Sequence, residues 1–219
     1  MKSKQQTLEL IEGKNPMLVE GMDAYRFFIQ ACQAYHLENI QVIDFGGNEE
    51  LKEKLKRVKK LPGFTKVRAV AIVRDAETDA DAAIRSIEGA LKANAFCVPP
   101  EPFEGAVGNP SIIYGILPGL QIERTWQNGT LEDLCLKTVD QDALFKGVDA
   151  YLSYADGLEH LTHRHKSRLH TYLSGKNDYV GMKIGEAAKA GAWDWNSEYL
   201  EPFHQMMLWL ERQIDEVQG

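Results

Sequence analysis

The first half of the chain alternates unbroken apolar runs with stretches in which apolar residues recur every three or four positions. The runs are bounded by glycine, proline or charged residues and predict buried β-strands. They lie at 15–19, 40–45, 67–73 and 111–117. The stretches between them predict three helices, and Asn48 and Asp79 are suited to cap the second and third. The inward faces of these helices are formed by Ala24, Phe27, Phe28, Ala31 and Tyr35, by Leu51, Leu55 and Val58, and by Ala80, Ala83, Ile84, Ile87 and Leu91.

From residue 130 onward the pattern is helical throughout. The predicted helices lie at 131–137, 141–153, 157–173, 182–190 and 198–216. The third of them places on one face Leu158, Leu161, His165, Leu169 and Tyr172. The last carries an apolar stripe of Tyr199, Phe203, Met206, Leu210 and Ile214.

Strands that alternate with helices and are then followed by helices predict an α/β fold. We expect a mostly parallel sheet flanked by helices at residues 1–128 and a C-terminal all-helical extension, packed on it, at 129–219. Residues 95–110 are rich in proline and glycine and are interpreted as a loop.

Composition adds the broad class of protein. Of the 219 residues, 44% are hydrophobic, so a core can form without disulfides or a structural zinc ion. The three cysteines form no CxxC pair. No apolar run is long enough to span a membrane, and the first residues lack the apolar segment of a secretion signal. We therefore expect a cytoplasmic protein with no membrane association.

The charge balance narrows the range of partners. The chain has 25 Lys and Arg against 32 Asp and Glu, a formal net charge of −7. Proteins that coat nucleic acid by charge alone are usually basic, so this balance argues against that class. It does not exclude an enzyme that contacts phosphates through a bound cation, and the positions of the carboxylates therefore matter more than their sum.

Acidic residues follow two of the predicted strands. Glu20 comes after the first, and Asp75 and Glu77 come after the third, with Asp79 close behind. Parallel sheets bind ligands at the carboxyl ends of their strands, and Mg²⁺ prefers carboxylate oxygens. The alternative is that Asp79 and Asp81 cap the following helix and complement its dipole, which does not account for Asp75 and Glu77.

Four segments in a fixed order resemble the Toprim domain, the catalytic fold of topoisomerases, bacterial-type primases, and OLD-type and small Toprim nucleases. Residues 17–23, Met-Leu-Val-Glu-Gly-Met-Asp, look like its first motif, and residues 70–77, Val-Ala-Ile-Val-Arg-Asp-Ala-Glu, like its second. Residues 129–134 and 191–194 are similar to segments of an uncharacterised bacterial Toprim-like family. The resemblance covers about residues 16–210.

The resemblance implies metal-dependent phosphodiester chemistry at the acidic residues. Glu20 and Asp75 would be catalytic, and Glu20 and Asp75 with Glu77 or Asp79 would hold one or two Mg²⁺ or Mn²⁺ ions. The family's second motif usually has aspartate at both acid positions, whereas this chain has Glu77 at the second. The longer side chain of Glu77 could still reach an ion after a change of rotamer, or Asp79 could take its role.

Glu132 is a weaker candidate ligand. The resemblance brings the acidic pair Glu132 and Asp133 near the metal site. The alternative is structural, because Thr130 and Asp133 have the spacing of a capping box at a helix start.

Basic residues are concentrated on two predicted helices. If the protein binds nucleic acid, its phosphate contacts would be Lys52, Lys56, Lys59, Arg164 and Arg168. The alternative is that both basic stretches are simply solvated helix faces. The second stretch also contains His165, which the helical spacing places in the core.

Together these features predict a Mg²⁺-dependent, nuclease-like hydrolase acting on DNA or RNA. The alternative of another class is a non-catalytic nucleic-acid or protein interaction module with the same fold, and a weaker one is phosphotransfer on a small molecule. The apolar final helix could serve a homodimer. A partner ATPase is left open.

Overall fold

The computed structural model describes residues 10–12, 14–46 and 51–213, and its centre is a five-stranded sheet. The strands are β1 (Asn15–Val19), β2 (Ile40–Asp44), β3 (Ala69–Asp75), β4 (Gly105–Ala106) and β5 (Ser111–Leu117). Their order is β2-β1-β3-β5-β4, with β4 antiparallel to β5 and the other neighbours parallel. The prediction of an α/β fold with a mostly parallel sheet is confirmed.

Helices cover both faces of this sheet. They are α1 (Gly21–Ala34), α2 (Leu51–Val58), α3 (Ala80–Ala93), α4 (Leu131–Lys137), α5 (Phe145–Glu159), α6 (Arg164–Ser174), α7 (Ile184–Lys189) and α8 (Glu201–Arg212). A small hairpin of β6 (Gln121–Ile122) and β7 (Thr125–Trp126) stands apart from the main sheet.

Alternation along the strands divides the core into two parts. Leu18 and Ile72 point to the face covered by α2 and α3, where Leu55 and Ile87 are fully buried. Their neighbours in sequence point to the opposite face and pack against α1 and the helices from α4 to α8. Both faces of the central strands are thus buried, which explains why these strands appear in the sequence as continuous apolar runs.

The C-terminal helices share one hydrophobic cluster with the sheet. Phe203, Met206 and Leu210 of α8 are buried in it, as the apolar stripe predicts, and Trp193 is buried beside them. The predicted boundary between residues 128 and 129 stays a prediction.

A buried asparagine connects distant parts of the chain. Asn15 Oδ1 accepts hydrogen bonds from the backbone N–H groups of Arg68 and Ala69, both at 3.1 Å. Its Nδ2 donates to the carbonyl oxygens of Leu210 and Gln213, at 3.0 and 2.7 Å. One side chain therefore joins the start of β1, the start of β3 and the end of α8.

The prediction of one helix at 157–173 is wrong. The chain leaves the helical path at His160, which has a φ of 50°, and α6 begins at Arg164. Asp156 stabilises this break, because its Oδ1 accepts a hydrogen bond from the N–H of Leu161 at 2.7 Å. Leu158 is consequently 69% exposed instead of packing in the core, and His165 is half-buried.

Other predicted bounds differ by a few residues. β3 begins two residues later than predicted and continues to Asp75, because it pairs with β5 from Ala69 to that residue. The stretch 95–110 contains β4, and the β6–β7 hairpin carries no clear signal in the sequence. The predicted cap at Asn48 and the last stripe residue, Ile214, lie outside the described residues.

Among the helices of the described residues, none combines the length and the apolar character needed to cross a membrane.

Candidate active site

Two carboxylates emerge together at the carboxyl edge of the sheet. β1 and β3 are neighbouring parallel strands, with Val19 opposite Val73, so Glu20 and Asp75 end at the same edge. Helix α1 can start immediately after Glu20 because Gly21 adopts a φ of 86°, which a side chain would disfavour. The N–H of Gly21 donates to Asp44 Oδ1 at 2.9 Å, which ties this turn to the end of β2.

The start of α4 brings a third carboxylate to this edge. The N–H of Leu131 donates to Asp75 Oδ1 at 3.0 Å, and the next residue is Glu132, whose side chain is 15% exposed. Gly129 and Glu77 exchange two backbone hydrogen bonds of 2.8 Å, which hold the preceding loop against the end of β3. Glu132 therefore faces the site from the first turn of its helix.

The capping box predicted for α4 is present as well. The N–H of Thr130 donates to Asp133 Oδ2 at 2.9 Å, and the Thr130 hydroxyl donates to the same oxygen at 3.1 Å. Gly129 before it has a φ of 142°, and a Cβ there would lie 2.9 Å from Asp133 Oδ2. The carboxylate of Asp133 is thus used to cap the start of α4, whereas Glu132 next to it points toward the other acids.

The nearby carboxylates affect the pKa of Asp75. Burial raises the pKa of Asp75 to about 8, and the negative charges of Glu132, Glu20 and Glu77 add to the rise. The hydrogen bond from Leu131 opposes it. With a pKa near 8, Asp75 is mostly protonated at pH 7, so the cluster retains a proton in place of one negative charge.

Arg74 is a site residue that the sequence analysis missed. Its side chain is 4% exposed, and its Nε lies 3.3 Å from Glu20 Oε2. Burial raises the pKa of Glu20, and the charge of Arg74 opposes that rise. Among the described residues, Arg74 Nε and Nη1 and Glu20 Oε2 find no partner with hydrogen-bond geometry. A single arginine near the end of an apolar strand was the signal for this residue.

A second group of charges borders the acids on the side of the C-terminal helices. Lys166 Nζ of α6 lies 3.9 Å from Glu132 Oε1. Desolvation of its carboxylate raises the pKa of Asp23, although the residue as a whole is exposed; Lys183 opposes the rise and Glu132 adds to it. No sequence pattern predicts this neighbourhood, because α1, α4, α6 and the turn before α7 meet through tertiary packing.

Asp79 and Glu77 have different surroundings from Asp75. Asp79 is the N-cap of α3, where its Oδ1 accepts a hydrogen bond from the N–H of Ala82 at 2.9 Å, as the alternative interpretation predicts. Its Oδ2 lies 3.9 Å from Arg85. Glu77 is exposed and has a φ of 53°, in the left-handed region. Neither observation tests the predicted role of these residues as ligands.

The predicted phosphate contacts on α2 and beside it are exposed. Lys52 and Lys56 point to solvent, and Lys56 lies 3.9 Å from Glu53. Lys59 is engaged with the protein itself, because its Nζ donates to the carbonyl oxygen of Asn94 at 2.6 Å.

The two predicted arginine contacts on α6 have partners on α5. Arg168 forms a bidentate ion pair with Asp149, in which Nε and Nη2 donate to the two carboxylate oxygens at 2.7 and 3.0 Å. Its guanidinium also stacks over the ring of Phe145. Arg164 lies 3.4 Å from Asp156 and is 45% exposed. Arg168 thus joins two helices, while Arg164 retains more access to solvent.

The acidic residues fit a Mg²⁺ site with two protein ligands, but not a site enclosed by three or more protein ligands. Among the residues that the structure describes, no three His, Cys, Asp or Glu side chains are spaced to enclose an ion. Mg²⁺, however, is commonly held by one or two carboxylates, with water and substrate oxygens completing its shell. Glu20 and Asp75 supply such a pair, and Glu20 Oε2, which lies 3.3 Å from Arg74 Nε, accepts no hydrogen bond from the described residues.

Comparison with known proteins gives one match. The model of a family described as "Protein of unknown function (DUF3226)" matches residues 14–214. No curated protein and no solved structure matches the chain.

Proposed function

Since the chain belongs to the DUF3226 family, whose function is unknown, we infer its activity from the residues of its own site. We propose that the protein is a Mg²⁺-dependent, nuclease-like hydrolase of phosphodiester bonds in DNA or RNA. The observation that carries the proposal is the convergence of Glu20, Asp75 and Glu132, from three separate elements, on one edge of the sheet. Their mutual repulsion contributes to the raised pKa of Asp75.

A divalent cation is the simplest partner for this arrangement. Three carboxylates that repel one another cost folding free energy, and a bound cation would offset that cost. Oxygen donors suit hard ions such as Mg²⁺ and Mn²⁺. The resemblance to the Toprim motifs supports the same ion independently of the electrostatics.

The residues at the edge divide into holding and positioning roles. Glu20 and Asp75 would hold the ion, and the charge of Glu132 beside them would add to its attraction. When bound, the ion would supply Lewis-acid polarisation of a phosphoryl oxygen. Arg74 orients Glu20 through its charge, and Lys166 lies where it can meet a substrate phosphate beside Glu132. The raised pKa of Glu20 suits its carboxylate to accept a proton from an attacking water molecule.

The experiment measures Mn²⁺ binding by calorimetry and electron paramagnetic resonance, followed by cleavage of single- and double-stranded DNA and RNA. Asp75→Asn is the test variant, because an amide retains the acceptor for Leu131 and cannot ionise. Asp81→Asn is the matched control, since Asp81 is an exposed acid in the first turn of α3 and is not a candidate ligand. We expect Asp75→Asn to weaken Mn²⁺ binding at least tenfold and to abolish cleavage, while Asp81→Asn changes neither.

Proton release gives a second measure of the same site. Because Asp75 is mostly protonated at pH 7, binding of an ion there should release close to one proton. Calorimetry in two buffers of different ionisation enthalpy detects that proton. Equal Mn²⁺ binding by the wild type and Asp75→Asn would contradict the proposal.

A non-catalytic module is the second candidate, and the Arg74–Glu20 pair favours it. In that case Arg74 neutralises Glu20 permanently, and Glu77 in place of aspartate reflects lost turnover. The module would bind nucleic acid or protein equally well with and without Mn²⁺, and would cleave no substrate. Three expectations stay predictions: a homodimer, a cytoplasmic location, and a nucleic-acid partner contacted through Lys52, Lys56, Lys59, Arg164 and Arg168.

A further inference from the structure

A cleft of about 510 Å³ lies beside β5, away from the carboxylates described above. The β6–β7 hairpin forms one wall, and α3 and the loop before β4 form the others. The residues that give it its chemistry are Glu101, Tyr114, Gln121, Arg124 and Trp126, with Ile84 as an apolar wall. Clefts of this volume that combine aromatic walls with a few polar groups are typical of small-molecule sites.

Tyr114 is the most informative residue of the cleft. It is fully buried, with 0% exposure, and among the described residues its hydroxyl has no hydrogen-bond partner. Buried tyrosine hydroxyls usually find a partner, because an unmade hydrogen bond is costly. Burial raises the pKa of Tyr114 to about 12, so the hydroxyl remains neutral and can both donate and accept.

Trp126 supplies an aromatic surface at the same place. It is half-buried, and the centroid of its ring lies 5.5 Å from that of Phe103, which packs against it. Arg124 adds a flat guanidinium, Gln121 an amide with both a donor and an acceptor, and Glu101 a carboxylate acceptor. The wall is therefore flat and apolar in part, with donors and acceptors around it.

We propose that this cleft binds a nucleobase, with Trp126 as the stacking surface and the Tyr114 hydroxyl as a hydrogen-bond partner of the base edge. Bases combine a flat aromatic face with donors and acceptors on one edge, and proteins bind them by stacking together with edge contacts. A sugar alone would lack the aromatic face, and a purely apolar ligand would leave the Tyr114 hydroxyl unpaired.

The cleft is connected to the acidic edge by a short stretch of chain. Tyr114 is three residues before Leu117, which lies opposite Asp75 in the sheet, so about 10 Å of strand separates Tyr114 from Leu117. The Tyr114 side chain faces α3, whereas that of Leu117 faces the C-terminal helices. After the hairpin, Asn128 fixes the loop to α3, since its Oδ1 accepts from the N–H of Ala80 at 2.9 Å. The proposal thus deepens the proposed function, on which it rests for the role of the phosphates, by naming a nucleotide unit as the group recognised.

The test measures binding of nucleoside 5′-monophosphates by calorimetry in the presence of EDTA, with ribose 5-phosphate as the control ligand. The variants are Tyr114→Phe and Trp126→Leu. Because the Tyr114 hydroxyl has no hydrogen-bond partner among the residues that the structure describes, Tyr114→Phe should unfold at the same temperature as the wild type or higher. We expect Tyr114→Phe to weaken binding five- to tenfold and Trp126→Leu to weaken it more than tenfold.

The outcomes separate this proposal from the proposed function. Nucleotide binding that depends on Tyr114 and Trp126, without any cleavage, would support the base site and contradict the hydrolase. Cleavage without metal-free nucleotide binding would do the reverse. Binding of ribose 5-phosphate as tightly as the nucleotides, or equal binding by both variants and the wild type, would overturn the base site.

Discussion

At the scale of single residues, the pair of Arg74 and Glu20 shows how a charge is kept in an apolar strand. A guanidinium that is 96% buried has to be compensated by a charge of opposite sign. Glu20 provides that charge at 3.3 Å, although the geometry falls short of a hydrogen bond. The pair is therefore held together mainly by electrostatic attraction.

Removal of one partner should cost more than removal of both. We expect Arg74→Met to lower the free energy of unfolding by about 3 kcal/mol, because Glu20 loses its partner, and Arg74→Met/Glu20→Leu to recover most of that loss. Urea unfolding of the two single variants and the double variant measures the coupling. Additive effects of the two substitutions would show that the residues do not interact.

The raised pKa of Asp75 makes stability depend on pH. The folded pKa of about 8 lies above the unfolded value of 3.8, so the folded state binds the proton more tightly. The stabilisation is complete below pH 3.8 and is lost as the pH rises toward 8. Asp75→Asn lacks this titration.

We therefore expect the stability of the wild type to fall relative to Asp75→Asn by up to about 1.4 kcal/mol per pH unit between pH 5 and 8. Urea unfolding of both proteins at several pH values, without divalent ions, measures the difference. A difference that is constant across this range would mean that Asp75 titrates normally. Added Mn²⁺ should reduce the slope if the ion binds there.

At the scale of elements, the turn of the β6–β7 hairpin requires a backbone conformation that its two residues disfavour. Its two turn residues, Glu123 and Arg124, have φ values of 48° and 65°. Two-residue hairpin turns with positive φ at both positions favour asparagine and glycine, and long side chains there cost free energy. This absent signal is also why the hairpin could not be predicted from the sequence.

Glu123→Asn/Arg124→Gly should therefore stabilise the protein by about 1 kcal/mol. The same double variant lacks the guanidinium that lines the cleft and should bind nucleotides more weakly. Thermal unfolding and calorimetric titration of the same samples measure both effects. Lower stability would show that contacts of these two side chains outweigh the backbone cost.

Helices and strands could be predicted from the sequence where the residues that determine them lie within the same segment. β1, β5 and α4 were predicted with the correct bounds, because apolar runs and a capping box lie within the segments themselves. The break at His160 depends on Asp156 and on the packing of α5 against α6, which no spacing rule includes. Similarly, Glu20 and Asp75 were found from strand ends, whereas Asp23 and Lys183 meet only after the C-terminal helices have packed.

At the scale of the whole molecule, Asn15 makes the sheet and the C-terminal helices depend on each other. Its side chain satisfies two backbone N–H groups at β3 and two carbonyl oxygens at the end of α8. The shared hydrophobic cluster has the same effect. The described part of the chain should therefore unfold as one unit.

Asn15→Leu should lower the free energy of unfolding by about 3 kcal/mol, since several buried backbone groups lose their partner. Unfolding should remain a single transition, with circular dichroism and tryptophan fluorescence changing together. Asn196→Leu, at an exposed position, is the control and should change stability little. Two separated transitions in the wild type would instead favour independent units divided near residue 128.

The strand order also has a consequence for the location of the site. From β1 the chain moves outward to β2, and it then returns to place β3 on the other side of β1. The connections on either side of this point pass over opposite faces of the sheet, so α1 and α3 diverge at a topological switch point, where open α/β sheets bind their ligands. Glu20 and Asp75 stand at that point because of connectivity, before any chemistry is considered. Variants without these carboxylates should keep the strand order, and a change in their activity would report the lost groups themselves.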